Sequence, residues 1–150
     1  MKGEEKLWSI LNDKLDTLRA GNRLPEAIRV AETALDLAKR TFAEDESSLA
    51  LSYEKLGQLL DQHGDRATAK AHLLKAHAIL DKAKPLDQRA LFRSARRLAF
   101  LCDNLGQPEE AIRFYEKAIA AVSRCRFQPA TFNGQPIAVE INVEVSFRLY

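Results

Sequence analysis

Along residues 4–124 apolar side chains return every three or four positions, and from residue 137 onward they return every second one. The first spacing places apolar groups on one stripe of an α-helix, and the second places them on one face of a β-strand. Turn and capping signals divide the first stretch into helices near 4–20, 25–42, 47–63, 66–82, 87–104 and 108–124. Pro25 and Pro108 fall at or near first-turn positions, where a missing amide is tolerated. Connectors fall at 41–46 and 82–86; Pro85 stops a helix in the second, and Asp87 is placed to cap the next.

The helical stretch is similar to itself at a fixed distance. Pro25-Glu26-Ala27-Ile28, Thr68-Ala69-Lys70 and Glu109-Glu110-Ala111-Ile112 each come soon after a turn glycine, Gly21, Gly64 and Gly106. The alanines stand 42 residues apart twice. The same spacing joins Ala34, Ala76 and Ala118, then Ala31, Leu73 and Tyr115, and in the preceding helices Leu11, Tyr53 and Ala95, then Leu18, Leu60 and Cys102. Such a period marks an array of units, each burying its apolar face only against its neighbours. Alanines recur where two helices approach closely, so the pattern predicts three helix hairpins, at about 4–42, 47–82 and 87–124. The first is the least regular, with Lys14 and Leu15 where the others have a leucine and a small residue, and with a turn from Ala20 to Pro25 that reads as one residue longer.

The columns Tyr53, Leu56, Gly57, Leu60, Ala69, Leu73 and Ala76, then Ala95, Leu98, Ala99, Cys102, Ala111, Tyr115 and Ala118, resemble the tetratricopeptide (TPR) repeat. The period of 42, rather than the usual value of about 34, resembles the longer-helix variety found in kinesin light chains. This resemblance implies an all-α helical repeat wound as a right-handed superhelix, acting as a non-catalytic scaffold. Its ligand would be a protein or peptide in a groove lined by the first helix of each hairpin. The family's groove positions correspond here to Asn12, Asp16, Leu51, Glu54, Gln58, Arg93, Arg96 and Phe100. The set is mixed in charge and lacks the lysine and asparagine combination that clamps a terminal carboxylate. Arg93 and Arg96 beside Phe100 still offer bidentate hydrogen bonds to a carboxylate.

Residues 125–150 form a different kind of sequence. Ile137, Val139, Ile141, Val143, Val145, Phe147 and Leu149 alternate with Ala138, Glu140, Asn142, Glu144, Ser146 and Arg148. One face is apolar and the other polar, over roughly 40 Å at about 3.3 Å per residue. A lone strand leaves both rows of backbone groups unpaired, so it needs a partner. The expectation is a long β-strand, or a short hairpin turning at Asn133-Gly134 and reaching only about Ile141. Two copies run antiparallel would pair most of both strands, which predicts a homodimer. The stretch from Ala121 to Leu149 also resembles the end of TonB-type energy-transducer C-terminal domains, through Phe127, Pro129, Ala130, Asn133, Gly134, Pro136 and Phe147 to Leu149. That family places a hairpin before the helix, where this sequence has helical repeats. Energy transduction also needs a membrane anchor and a proline-rich spacer, which the sequence does not show. The resemblance therefore implies a strand tail and a periplasmic leaning. The alternative function is a structural or oligomerisation module, or a truncated TonB-like periplasmic component that docks by strand addition.

With 23 basic and 21 acidic residues the net charge is +2, which argues against an electrostatic grip on nucleic acid or membrane. No apolar run approaches the ~20 residues of a membrane span, so membrane insertion is not expected. The location expected is periplasmic if a signal segment has been removed, and otherwise cytoplasmic. Cys102 and Cys125 read as free thiols, too far apart along one helix to bridge. His63, His72 and His77 have no i, i+4 metal spacing and read as surface or groove residues. With no nucleophile, base or phosphate-loop motif, neither an enzyme nor a cofactor or metal is expected. Arg89, Arg93 and Arg97 share a helical face, either solvated against Asp87 and Asp103 or ligand-binding, and Trp8 is expected to pack at the open end of the stack.

Overall fold

The computed structural model describes residues 3–43 and 46–125, and the backbone of residues 131–132 and 135–136. Six helices occur among the described residues: α1 (Gly3–Ala20), α2 (Leu24–Thr41), α3 (Ser47–His63), α4 (Arg66–Lys82), α5 (Gln88–Asn104) and α6 (Pro108–Arg124). Every boundary lies within one residue of its expected place. Pro25 and Pro108 occupy the first turns of α2 and α6. The Asp87 carboxylate accepts the Ala90 amide at 3.1 Å, and Asp65 accepts that of Thr68 at 3.4 Å, so α5 and α4 begin on side-chain caps.

The hairpin turns keep the 42-residue register more strictly than the glycine positions alone suggest. The left-handed residues are Asn22 (φ 58°), Gly64 (98°) and Gly106 (72°), one per hairpin and 42 apart. Asparagine tolerates this conformation better than other non-glycine residues. Asn22, not Gly21, is thus the counterpart of the two turn glycines, and the first turn is in step with the others.

Each helix packs on the one before and the one after it. The recurring alanines form the contact points: Ala27 and Ala69 are fully buried, and Ala111 is nearly so. At Gly57 a Cβ would lie 2.8 Å from Leu73, so α3 and α4 meet there with no room for a methyl group. Leu15, Leu59, Leu98 and Leu101 lie fully buried in one continuous core, each worth about 1.5–3 kcal/mol of apolar burial. Cys102 is buried, its thiol donating to Glu110 Oε2 at 3.9 Å, and neither cysteine is bridged.

Beyond α6, two-residue strands β1 (Thr131–Phe132) and β2 (Gln135–Pro136) pair antiparallel, Thr131 opposite Pro136 and Phe132 opposite Gln135. The long strand expected at 137–149, with Ile137, Val139, Ile141, Val143, Val145, Phe147 and Leu149, lies outside the described residues. Among the described residues, no helix is long and apolar enough to cross a membrane.

Candidate partner-binding face

The groove positions read from the sequence fall into columns 42 residues apart: Asn12, Glu54 and Arg96; Asp16, Gln58 and Phe100; Leu51 and Arg93. In the first of these columns the two inner members are covered and the last is open, whereas Asp16 and Leu51 are exposed within their hairpins. Asn12 and Glu54 are 7% and 2% exposed, whereas Arg96 in the last hairpin is exposed.

Glu54 lies at the centre of this arrangement. Its Oε2 receives a hydrogen bond from Arg93 Nη2 at 3.4 Å and lies 3.6 Å from Arg97 Nη1. Its Oε1 has no hydrogen-bond partner among the described residues. Burial raises the Glu54 pKa above the usual carboxylate value, while the charges of Arg93 and Arg97 and the Arg93 hydrogen bond pull it down. Two arginines of this face, Arg93 and Arg97, thus pair with Glu54 rather than with Asp87 or Asp103, while Arg89 is exposed. Asp87 caps α5, and the arginines neutralise a buried acid on the preceding hairpin. The two that converge on it are Arg93 and Arg97, rather than Arg93 and Arg96.

The other first-helix positions tie hairpins together in the same way. Lys55 bridges to Asp16 at 3.2 Å, and Arg19 donates to Gln58 Oε1 at 3.2 Å. The Trp8 indole N–H donates to Ser52 Oγ at 2.7 Å, and its ring stands edge-on to Phe42. Trp8 thus packs inward between α1 and α3 rather than at the open end of the stack. Asn12 Nδ2 returns a bond to the Trp8 carbonyl.

A second set of ties joins α4 to the last hairpin. Lys70 reaches Gln107 Oε1 at 2.6 Å and Glu110 Oε2 at 2.5 Å. His77 Nδ1 lies 3.2 Å from Ser94 Oγ, with its ring edge-on to Phe114. His77 is 7% exposed, so it is an interior residue and not the surface or groove histidine expected; burial holds its pKa below the ordinary imidazole value, with Lys117 adding to this and Asp81 opposing it. His72 is half-buried against Tyr53, and His63 is exposed. The described residues hold no group of His, Cys, Asp and Glu arranged for a metal ion.

A patch and a cleft remain open on this side. Arg93, Arg96 and Phe100 succeed one another at i, i+3 and i+7 on α5, and Phe100 is 59% exposed. Beside them a cleft of about 560 Å³ is bounded by Leu51, Glu54, Leu80, Lys84, Pro85 and Arg93. An exposed ring flanked by guanidinium groups, next to a cleft of mixed polarity, suits a peptide with both apolar and polar side chains.

The sequence singled out Arg97 but not its partner Glu54, and gave no sign of Lys55, Arg19 or the Trp8 to Ser52 bond. The available signal was the 42-residue register: a polar residue whose position faces the next hairpin needs a partner there.

Residues 106–149 match the family of the Gram-negative bacterial TonB protein C-terminal region, a match that takes in α6 together with the tail. No curated protein matches the chain. Among solved structures, a crystal structure of Podosopora anserina putative kinesin light chain nearly identical TPR-like repeats superposes with a TM-score of 0.70 at 21% identity, covering 83% of this chain and 58% of that one. The TPR domain of Arabidopsis FLU gives 0.68 at 18% identity, covering 80% and 98%. BtubC (BKLC) from P. vanneervenii gives 0.73 at 21% identity, covering 90% and 55%. The chain thus spans just over half the length of the kinesin light chain structure. At these identities the likeness is one of fold, and the fold is a TPR-like helical repeat.

Proposed function

We propose that this protein is a non-catalytic interaction scaffold that holds a peptide segment of a partner protein across the first-helix face. The observation that carries the reading is the exposure of Arg96 and Phe100 on α5, near the cleft lined by Leu51 and Arg93, while their counterparts Glu54, Gln58 and Asp16 are engaged in ties between hairpins. Tight peptide recognition commonly rests on aromatic and arginine anchors of this kind. The solved neighbours support the reading through their shared scaffold fold. Panning a random peptide display library on the full chain tests it. The proposal expects a selected sequence whose binding falls about tenfold or more with Phe100→Ala or Arg96→Glu, a loss of about 1.4 kcal/mol. Failure to enrich any sequence, or binding by both variants as tight as that of the unmodified chain, overturns it.

A second part of the proposal concerns the tail, which we infer pairs with the tail of another copy to form a homodimer. The strict alternation of residues 137–149 supports it. A periplasmic location belongs to this part and rests on the match of residues 106–149 alone.

A further inference from the structure

The helix at the C-terminal end of the stack presents a face that, in each earlier hairpin, is covered by the next hairpin. Ile112, Ile119 and Val122 stand 42 residues after Lys70, His77 and Leu80, which themselves stand 42 after Ile28, Leu35 and Ala38. On α4 these positions all meet the last hairpin. Lys70 bonds Gln107 and Glu110, His77 meets Ser94 and Phe114, and Leu80 shares a buried cluster with Ala90 and Leu91. On α2, Leu35 and Ala38 are buried in the main core. On α6 the three corresponding positions are all apolar, yet Ile112 is 55% and Ile119 41% exposed, and no seventh helix covers them among the described residues.

The chain continues from α6 directly into the tail. It leaves the helix at Cys125, residues 126–136 give it room to turn back, and residues 137–149 carry an apolar side chain at every odd position. A helix of this length spans about 25 Å at 1.5 Å per residue, and the strand stretch about 40 Å, so the strand is long enough to run the whole stripe. The family match covering 106–149 also treats α6 and the tail as one stretch. We propose that the odd-numbered face of the chain's own tail seats on Ile112, Ile119 and Val122, closing the stack where a fourth hairpin would otherwise sit. The inference rests on reading the tail as an amphipathic strand, and it leaves that strand's polar face and edges available for pairing with a second copy. A terminal unit that covers an apolar face with a polar one is what a repeat array needs at its end.

Thiol labelling tests the seat separately from dimerisation. An Ile119→Cys variant of the full chain, with Cys125→Ser to remove the other accessible thiol, is compared with and without Val143→Lys and Val145→Lys, with circular dichroism confirming the helices in both. The proposal expects the thiol introduced at position 119 to react about tenfold more slowly when the tail is intact, as for a group exposed only by local opening. Equal labelling rates overturn the seat, whatever light scattering says of the oligomeric state. Mixing the lysine variant with an excess of chains whose tails are intact must not restore protection. If it does, the occupant is the tail of a second copy, and the assignment to the same chain is wrong.

Discussion

Glu54 would be an unfavourable buried charge without the two guanidiniums that reach it from the next hairpin. Arg93→Glu would set a second carboxylate against it, with only Arg97 left to compensate, and should cost roughly 3 kcal/mol of unfolding free energy. Arg96→Glu, on an exposed side chain with no ion pair among the described residues, should stay within about 0.5 kcal/mol. Urea unfolding of the two variants distinguishes them, and equal losses would mean that Glu54 is not held as described. His77 supplies a pH test. Its folded pKa lies below the ordinary value of 6.5, because burial and Lys117 outweigh Asp81. The unfolded chain therefore takes up a proton that the folded chain refuses, and stability is lost as pH falls below about 6.5 through the folded pKa. His77→Gln should show a smaller fall in melting temperature between pH 7 and pH 5 than the wild type, and parallel falls would assign the titration elsewhere.

Helix boundaries were legible because each rests on local chemistry: proline in a first turn, aspartate before α5, glycine where the backbone turns left-handed. The alanine columns were legible because close helix contacts leave no alternative to a small side chain. Gly57 makes this testable. Alanine is favoured over glycine in a helix interior by up to about 1 kcal/mol, but here its methyl group would press on Leu73, itself buried. Overpacking at such a contact costs about 1–3 kcal/mol, so Gly57→Ala should melt lower than the wild type; a higher melting temperature would show that α3 and α4 are not this close. The polar ties between hairpins were far less legible. Ser52 and Lys55 carry no local signature, and their partners, like that of Arg97, lie roughly one period away, so only the superposed hairpins bring them together. The same reason misplaced His77, read as a surface or groove residue but covered by the next hairpin, and set the packing of Trp8 at the open end rather than against Ser52 and Phe42.

Among the described residues no further hairpin stacks beyond α6. There the open members of the repeating columns, Arg96 and Phe100 on one side and Ile112 and Ile119 on another, become available for contacts that the inner hairpins use among themselves. Tail pairing predicts that light scattering on the full chain at high micromolar concentration gives twice the chain mass, and that Val143→Pro, which removes a ladder donor, returns it to a monomer. A monomeric wild type would end the dimer proposal while leaving the peptide-binding face untouched. That face is tested most directly by amide chemical-shift mapping of the full chain as a library-selected peptide is titrated in. Binding on this face should concentrate the shifts at Leu51, Arg93, Arg96 and Phe100 on α3 and α5; shifts concentrated on α2, α4 and α6 would place the peptide elsewhere.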